Sequence, residues 1–178
     1  MTSAVITGLG LVTPIGTGTE EVWDALLAGR SGAGPVEGFD VGGYDTRIAC
    51  QVGDFDATAY MGAREAARCD RFTQMAVAAA ALAWEDAGLG DLPDRERAGT
   101  IVGSGIGGLY TIEEQVGALA RGGPRRVSPF TVPKLMPNAA AGAIAMQLGL
   151  RGINHCVSSA CATGAHALGE ALLAIRYG

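Results

Sequence analysis

A thiol stands alone in the run Ser158-Ser159-Ala160-Cys161-Ala162-Thr163-Gly164, set among small residues. Before it, Ile153 to Val157 reads as a short buried strand, and after it Ala165 to Tyr177 reads as a helix. A cysteine at such a junction sits at the positive end of the helix, where a thiolate is stabilised, and the thiolate is the nucleophile. Ala160, Ala162 and Gly164 let a carbonyl approach and tolerate a strained turn. This is the logic of a nucleophile elbow, with sulfur in place of the serine oxygen. A buried structural cysteine carries the same local signature, because free cysteine is among the most buried residue types. The spacing leaves both readings open.

Other chemistry-bearing residues lie close by. His166 follows Cys161 on the same predicted helix, about 140° around its axis. That makes it a poor general base for the thiol, and it reads as a packed or hydrogen-bonded histidine. His155 falls on the preceding strand, where burial in a sheet or an interface is expected. His155, Cys156, Cys161 and His166 cluster in sequence, but strand alternation turns His155 and Cys156 to opposite faces. No ligand pair has zinc spacing, so no metal is expected. The remaining cysteines, Cys50 and Cys69, complete no C-x-x-C pair and no disulfide framework. Asp70, Glu85 and Asp86 read as solvated or structural carboxylates.

Gly103-Ser104-Gly105-Ile106-Gly107-Gly108 fits G-x-G-x-x-G and follows a predicted strand, the pattern of a dinucleotide site. It lies outside the first βαβ unit, however. Where an acidic ribose ligand would be expected, the chain reads Arg125-Arg126-Val127-Ser128-Pro129. The preferred reading is a glycine-rich turn that lets two backbones approach closely.

The elements that position these residues follow from periodicity and punctuation. Ala4 to Thr7 reads as a first strand ended by Gly8 and Gly10. Glu20 to Ala28 reads as a helix, with Thr19 as its cap and Gly29 as its stop. Gly32 to Gly43 reads as loop and Ile48 to Val52 as strand. Ala63 to Ala87 reads as one long helix, alanine-rich in its second half and suited to close packing between layers. Gly99 to Val102 reads as a buried strand and Leu109 to Leu119 as a helix. Arg125 to Pro133 reads as irregular, and Ala139 to Leu148 as a helix preceded by Asn138. Such alternation predicts a layered α/β domain around a largely buried sheet.

Composition bounds the function. The chain has 178 residues, 48% hydrophobic and 17% charged, enough for one domain with a real core. A formal net charge of -5 argues against nucleic acid as a partner. The longest apolar stretch, Met75 to Trp84, is too short to span a bilayer. The start, Thr2 to Gly8, lacks the basic region and cleavage site of a signal peptide. The expected location is therefore the cytoplasm, with no membrane partner.

Five signatures occur in order: Val5-Ile6-Thr7-Gly8-Leu9-Gly10, Trp23-Asp24-Ala25-Leu26-Leu27-Ala28-Gly29, Gly103 to Gly108, Gly122-Gly123-Pro124-Arg125-Arg126-Val127-Ser128-Pro129-Phe130, and Ser159-Ala160-Cys161. Together they resemble the amino-terminal part of a β-ketoacyl-acyl-carrier-protein synthase, nearest the type II elongating enzymes of fatty acid synthesis. The ketosynthases of type II polyketide pathways share much of the set. The resemblance runs over residues 1–178 as one unit.

The resemblance implies a thiolase-like layered α/β fold, α-β-α-β-α in a complete enzyme, of which this chain is most of the amino-terminal half. It implies a homodimer, or a heterodimer with a ketosynthase-like chain. Cys161 matches the acyl-accepting cysteine, its backbone N–H supplying one oxyanion-hole donor. Ile106 matches a residue lining the acyl pocket, and Phe130 and Thr131 fall at substrate-binding positions. Thr131 stands where a bulkier aromatic often occurs. Arg64, Arg68, Arg125 and Arg126 match basic positions that face acyl carrier protein. The reaction implied is acylation of Cys161, loss of carbon dioxide from a malonyl-carrier, and attack on the thioester to give a 3-oxoacyl product. Phosphopantetheine arrives on the carrier, so no separate cofactor is expected. The family's catalytic histidines and lysine lie in its carboxy-terminal half and match no position here. The chain is therefore expected to be a fragment of a longer enzyme, or one completed by a second chain, unable by itself to decarboxylate malonyl groups. Two alternatives come from other classes. One is a non-catalytic chain-length-type partner subunit, against which Cys161 argues. The other is a dinucleotide-binding oxidoreductase.

Overall fold

The computed structural model describes residues 3–177. Met1, Thr2 and Gly178, and with them the expected limits of the unit, lie outside the described residues. In chain order the elements are β1 (Val12–Thr13), β2 (Gly16–Thr17), α1 (Thr19–Leu27), β3 (Ala33–Pro35), β4 (Ile48–Cys50), α2 (Ala63–Ala66) and α3 (Arg71–Asp86). There follow β5 (Thr100–Gly103), α4 (Leu109–Gly122), α5 (Thr131–Leu135), α6 (Ala139–Leu148), β6 (Asn154–Val157) and α7 (Thr163–Tyr177). β1 pairs with β2 and β3 with β4, both antiparallel, while β5 and β6 pair parallel with Thr100 opposite Asn154 and Gly103 opposite Val157.

The parallel pair is the scaffold of the candidate site. Thr100 Oγ1 and Asn154 Nδ2 both donate to Ala141 C=O on α6, at 3.0 and 3.2 Å. A side chain at Gly103 would instead meet Thr163 at the start of α7. Successive strand residues point to opposite faces, so α6 covers one face and α7 the other. Behind α6 lies α3, and Val77 of α3 and Ile144 of α6 share the core with Met61 and Ala66. The small side chains of α6 (Ala140, Ala141 and Ala145, all buried) permit this close helix packing.

Five expectations need correction. The segment Ala4–Thr7 is not a paired strand. The chain from Gly8 to Gly10 lies along the alanine stripe of α3, its missing side chains directed at the Ala83–Ala87 and Ala79–Ala83 backbone. Two extended residues advance about as far as four helical ones, so glycines two apart match alanines one turn apart. Leu9 N–H adds a 2.8 Å bond to the Asp86 carboxylate. Thr19 does not cap α1: Gly18 holds that position, and the Glu21 carboxylate reaches back to Thr17 N–H at 2.8 Å.

The long helix over 63–87 is broken into α2 and α3 by Arg68-Cys69-Asp70. Asp70 is extended (φ -76°, ψ 161°) and its side chain caps α3. Helix propensity alone does not register that interruption, because a capping carboxylate can also ride a helix. Finally, the loop over 32–43 contains β3, and the irregular stretch 125–133 contains the start of α5. Gly29 as a stop and the limits of α6 agree with expectation.

Candidate active site

β6 ends at Val157, and the chain turns through Ser158 and Ser159 into a single 3₁₀ turn, Ala160–Ala162, that runs directly into α7. Cys161 lies in that turn and is exposed. Ala162 N–H bonds Ser159 C=O at 3.1 Å, and Thr163 N–H bonds Ala160 C=O. The Cys161 N–H between them is used by neither bond. Ala160 has φ 50°, the one non-glycine in the left-handed region among the described residues. The strand-to-helix elbow expected from the sequence is thus present, with a strained residue immediately before the thiol.

Three hydrogen bonds made by side chains tie the elbow down. Ser158 Oγ donates to Gly105 C=O at 3.2 Å. Ser159 N–H donates to Thr163 Oγ1 at 2.8 Å. Ser159 Oγ lies 2.6 Å from His166 Nδ1. Thr163 is buried against the end of β5. A Cβ built on Gly103 would stand 2.6 Å from Thr163 Cγ2 and 2.8 Å from its carbonyl oxygen. Gly103 therefore lets α7 start directly on the strand end. His166 is hydrogen-bonded, as the sequence suggested. The sequence motifs assign Ser158, Ser159 and Thr163 no role of their own. Their signal was available in hydroxyl residues flanking the thiol, since these bond locally to turn backbone.

The glycine run 103–108 crosses in front of the elbow. Gly107 N–H bonds Ser104 Oγ at 3.0 Å, Gly108 N–H bonds Leu135 C=O at 3.0 Å, and the Gly107–Gly108 backbone lies directly on the end of α5. Its glycines thus serve close backbone approach. Asp70, deeply buried, anchors the far end of the run. It accepts from Thr111 N–H at 2.9 Å and from Thr111 Oγ–H at 2.5 Å. One carboxylate thereby serves the first turns of α3 and α4.

Ile106 sits at the tip of the run and is 64% exposed. Ile106, which the resemblance places in the lining of an acyl pocket, and Cys161 both stand on open surface. A hollow of about 540 Å³ lies at the other end of the strand pair, lined by Trp84, Leu89, Arg95 and Gln147 among others. Phe130 and Thr131 open α5. Thr131 Oγ1 donates to Ser128 C=O at 2.6 Å, and Phe130 is partly exposed. The Arg68 guanidinium lies 5.0 Å from the Phe130 ring centroid, a cation–π distance. Arg64 is exposed on α2, and Arg125 and Arg126 are exposed in the 3₁₀ turn after α4. The structure thus joins Arg68 to Phe130 and sets Ile106 beside the elbow.

Cys50 is exposed like Cys161, whereas Cys69 and Cys156 are partly buried. Cys156 donates weakly to Val157 C=O at 3.4 Å. Cys69 is half-buried, and burial first, then the Glu65 carboxylate, push its thiol up while Lys134 opposes. Among the described residues no cluster of His, Cys, Asp and Glu is arranged to hold a metal ion, and no helix is long and apolar enough to cross a membrane.

The family model described as "Beta-ketoacyl synthase, N-terminal domain" matches residues 1–178. The chain is 45% identical over 175 residues to the 3-oxoacyl-[acyl-carrier-protein] synthase 2 of Vibrio harveyi, covering 98% of this chain and 42% of that protein. It therefore spans less than half the length of the curated relatives it matches. The fold superposes on the ishigamide ketosynthase/chain length factor with a TM-score of 0.86 at 34% identity, over 97% of this chain and 43% of that one. A type II polyketide synthase acyl-carrier protein in complex with its hexaketide-bound ketosynthase gives a TM-score of 0.82 at 25% identity, over 98% of this chain and 46% of that one.

Proposed function

Because the chain belongs to the β-ketoacyl synthase N-terminal domain family, we propose that it carries the acyl-accepting part of a 3-oxoacyl-[acyl-carrier-protein] synthase, with Cys161 as the residue that is acylated. The observation that carries this reading is the exposed thiol in a tight, strained turn at the head of α7. The Cys161 sulfur attacks the carbonyl of an acyl thioester, and the carrier's pantetheine thiol leaves. The Cys161 N–H, free of the turn's own bonds, donates to the oxyanion that forms. In the second half-reaction a malonyl thioester loses carbon dioxide. Its enolate attacks the acyl carbonyl, the Cys161 thiolate leaves, and the product is a 3-oxoacyl-carrier two carbons longer. Splitting the condensation in this way is the advantage of a covalent intermediate. The chain has two histidines, His155 and His166, and neither is assigned to decarboxylation.

Ile106, Phe130 and Thr131 are proposed to contact the acyl chain, and Arg64, Arg68, Arg125 and Arg126 to receive the carrier protein. Phosphopantetheine comes with that carrier. The proposed assembly is a dimer, with itself or with a ketosynthase-like chain, in the cytoplasm. Fatty acid elongation is the first reading, and polyketide extension uses the same residues.

Intact-mass analysis after incubation with acyl-carrier protein tests the proposal. The wild-type chain is expected to gain one acyl group, and Cys161→Ala none. An increment that persists in the variant would remove Cys161 from the mechanism.

A further inference from the structure

We propose that His166 is a positioning residue for Cys161, acting through Ser159. The inference rests on the acyl-accepting role of Cys161 and adds the device that holds the thiol in place. Ala160 adopts a left-handed conformation (φ 50°) that an L side chain takes up only when its surroundings impose it. The residue before it, Ser159, is gripped twice by one helix. Its N–H donates to Thr163 Oγ1 at 2.8 Å, and its hydroxyl meets His166 Nδ1 at 2.6 Å. Thr163 is buried on the β5 end and cannot yield. His166 lies one turn further along α7, so the two partners fix both the height and the rotation of Ser159. The turn Ala160–Ala162 is then closed at both ends on α7, and Cys161 lies inside it.

The Ser159–His166 bond does not depend on one charge state. A neutral ring accepts the hydroxyl proton at Nδ1, and a ring protonated there donates to the hydroxyl oxygen. The pair is therefore a mechanical latch, and an asparagine at 166 can place an amide atom near the Nδ1 position. A latch matters for a bulky donor that must be met at a set angle. It matters far less for a small alkylating reagent that approaches a thiol from many directions.

The test compares wild type, His166→Ala, His166→Asn, Ser159→Ala and the Ser159→Ala/His166→Ala double variant in the intact protein. Two rates are measured at Cys161 by peptide mapping: acylation by the octanoyl thioester of N-acetylcysteamine, and alkylation by iodoacetamide. Each Ala variant is expected to slow acylation about tenfold, with the double variant no slower than either single one, as for members of one network. His166→Asn is expected to recover most of that loss, and alkylation to stay near the wild-type rate throughout. Wild-type acylation in His166→Ala overturns the inference, as do additive losses in the double variant, no recovery in His166→Asn, or a parallel fall in alkylation. Should His166→Ala fail to fold, Ser159→Ala decides alone: unchanged acylation there overturns the latch. A wild-type protein that is not acylated on Cys161 at all overturns the proposed function itself, and the inference with it.

Discussion

At the residue scale the site turns on a few side chains within one turn of Cys161. Ala160 holds a left-handed φ of 50°, which glycine takes up freely and a β-branched residue hardly at all. Ala160→Val is expected to destabilise the fold by about 1–3 kcal/mol, the usual cost of such strain. Ala160→Gly is expected to keep or raise stability. Denaturant unfolding of the three proteins measures this, and equal midpoints for valine and alanine would mean that the turn relaxes in solution. Gly103 acts from across the fold, because only a residue without a side chain lets Thr163 sit on the strand end.

At the element scale Asp70 joins parts that are distant in sequence. It caps α3 just after the break from α2 and accepts two bonds from Thr111 at the head of α4. The glycine run and Ile106 hang between β5 and that second helix, so the carboxylate sets where the run stands. Removing it strands buried donors, and Asp70→Ala is expected to cost about 1.5–3 kcal/mol, the range for hydrogen bonds to a charged group. Asp70→Asn, which retains one acceptor, is expected to lose less. Chemical denaturation measures both, and a neutral Asp70→Ala would show that the link carries little of the fold's stability.

At the scale of the whole molecule the chain leaves much apolar surface uncovered. Leu109, Ile112, Val116 and Leu119 follow one face of α4 and are 55%, 38%, 60% and 48% exposed. Leu168 and Ile175 on α7 are exposed as well. Contiguous apolar surface of this kind marks interaction sites. The 178-residue chain expressed by itself is expected to bind an apolar fluorescent dye and to self-associate. Paired substitutions Val116→Glu and Leu119→Glu should reduce both effects. A monomer in sedimentation velocity with no dye binding would contradict this.

Local signals in the sequence determined the elements that carry chemistry: the strand–elbow–helix around Cys161, the glycine run, and α6 with its cap position at Asn138. Each depends on periodicity and turn residues within a dozen positions, and the ordered motifs placed the chain in its family. Tertiary structure alone decided the rest. Where the chain from Gly8 to Gly10 lies depends on the α3 backbone that these glycines meet, more than sixty residues away. The break at Asp70 depends on Thr111, and the latch on Ser159 depends on the angle at which α7 leaves the turn. Contacts between residues far apart in sequence form where packed layers bring donors and acceptors together, and propensity and periodicity along the chain hold no record of those distances.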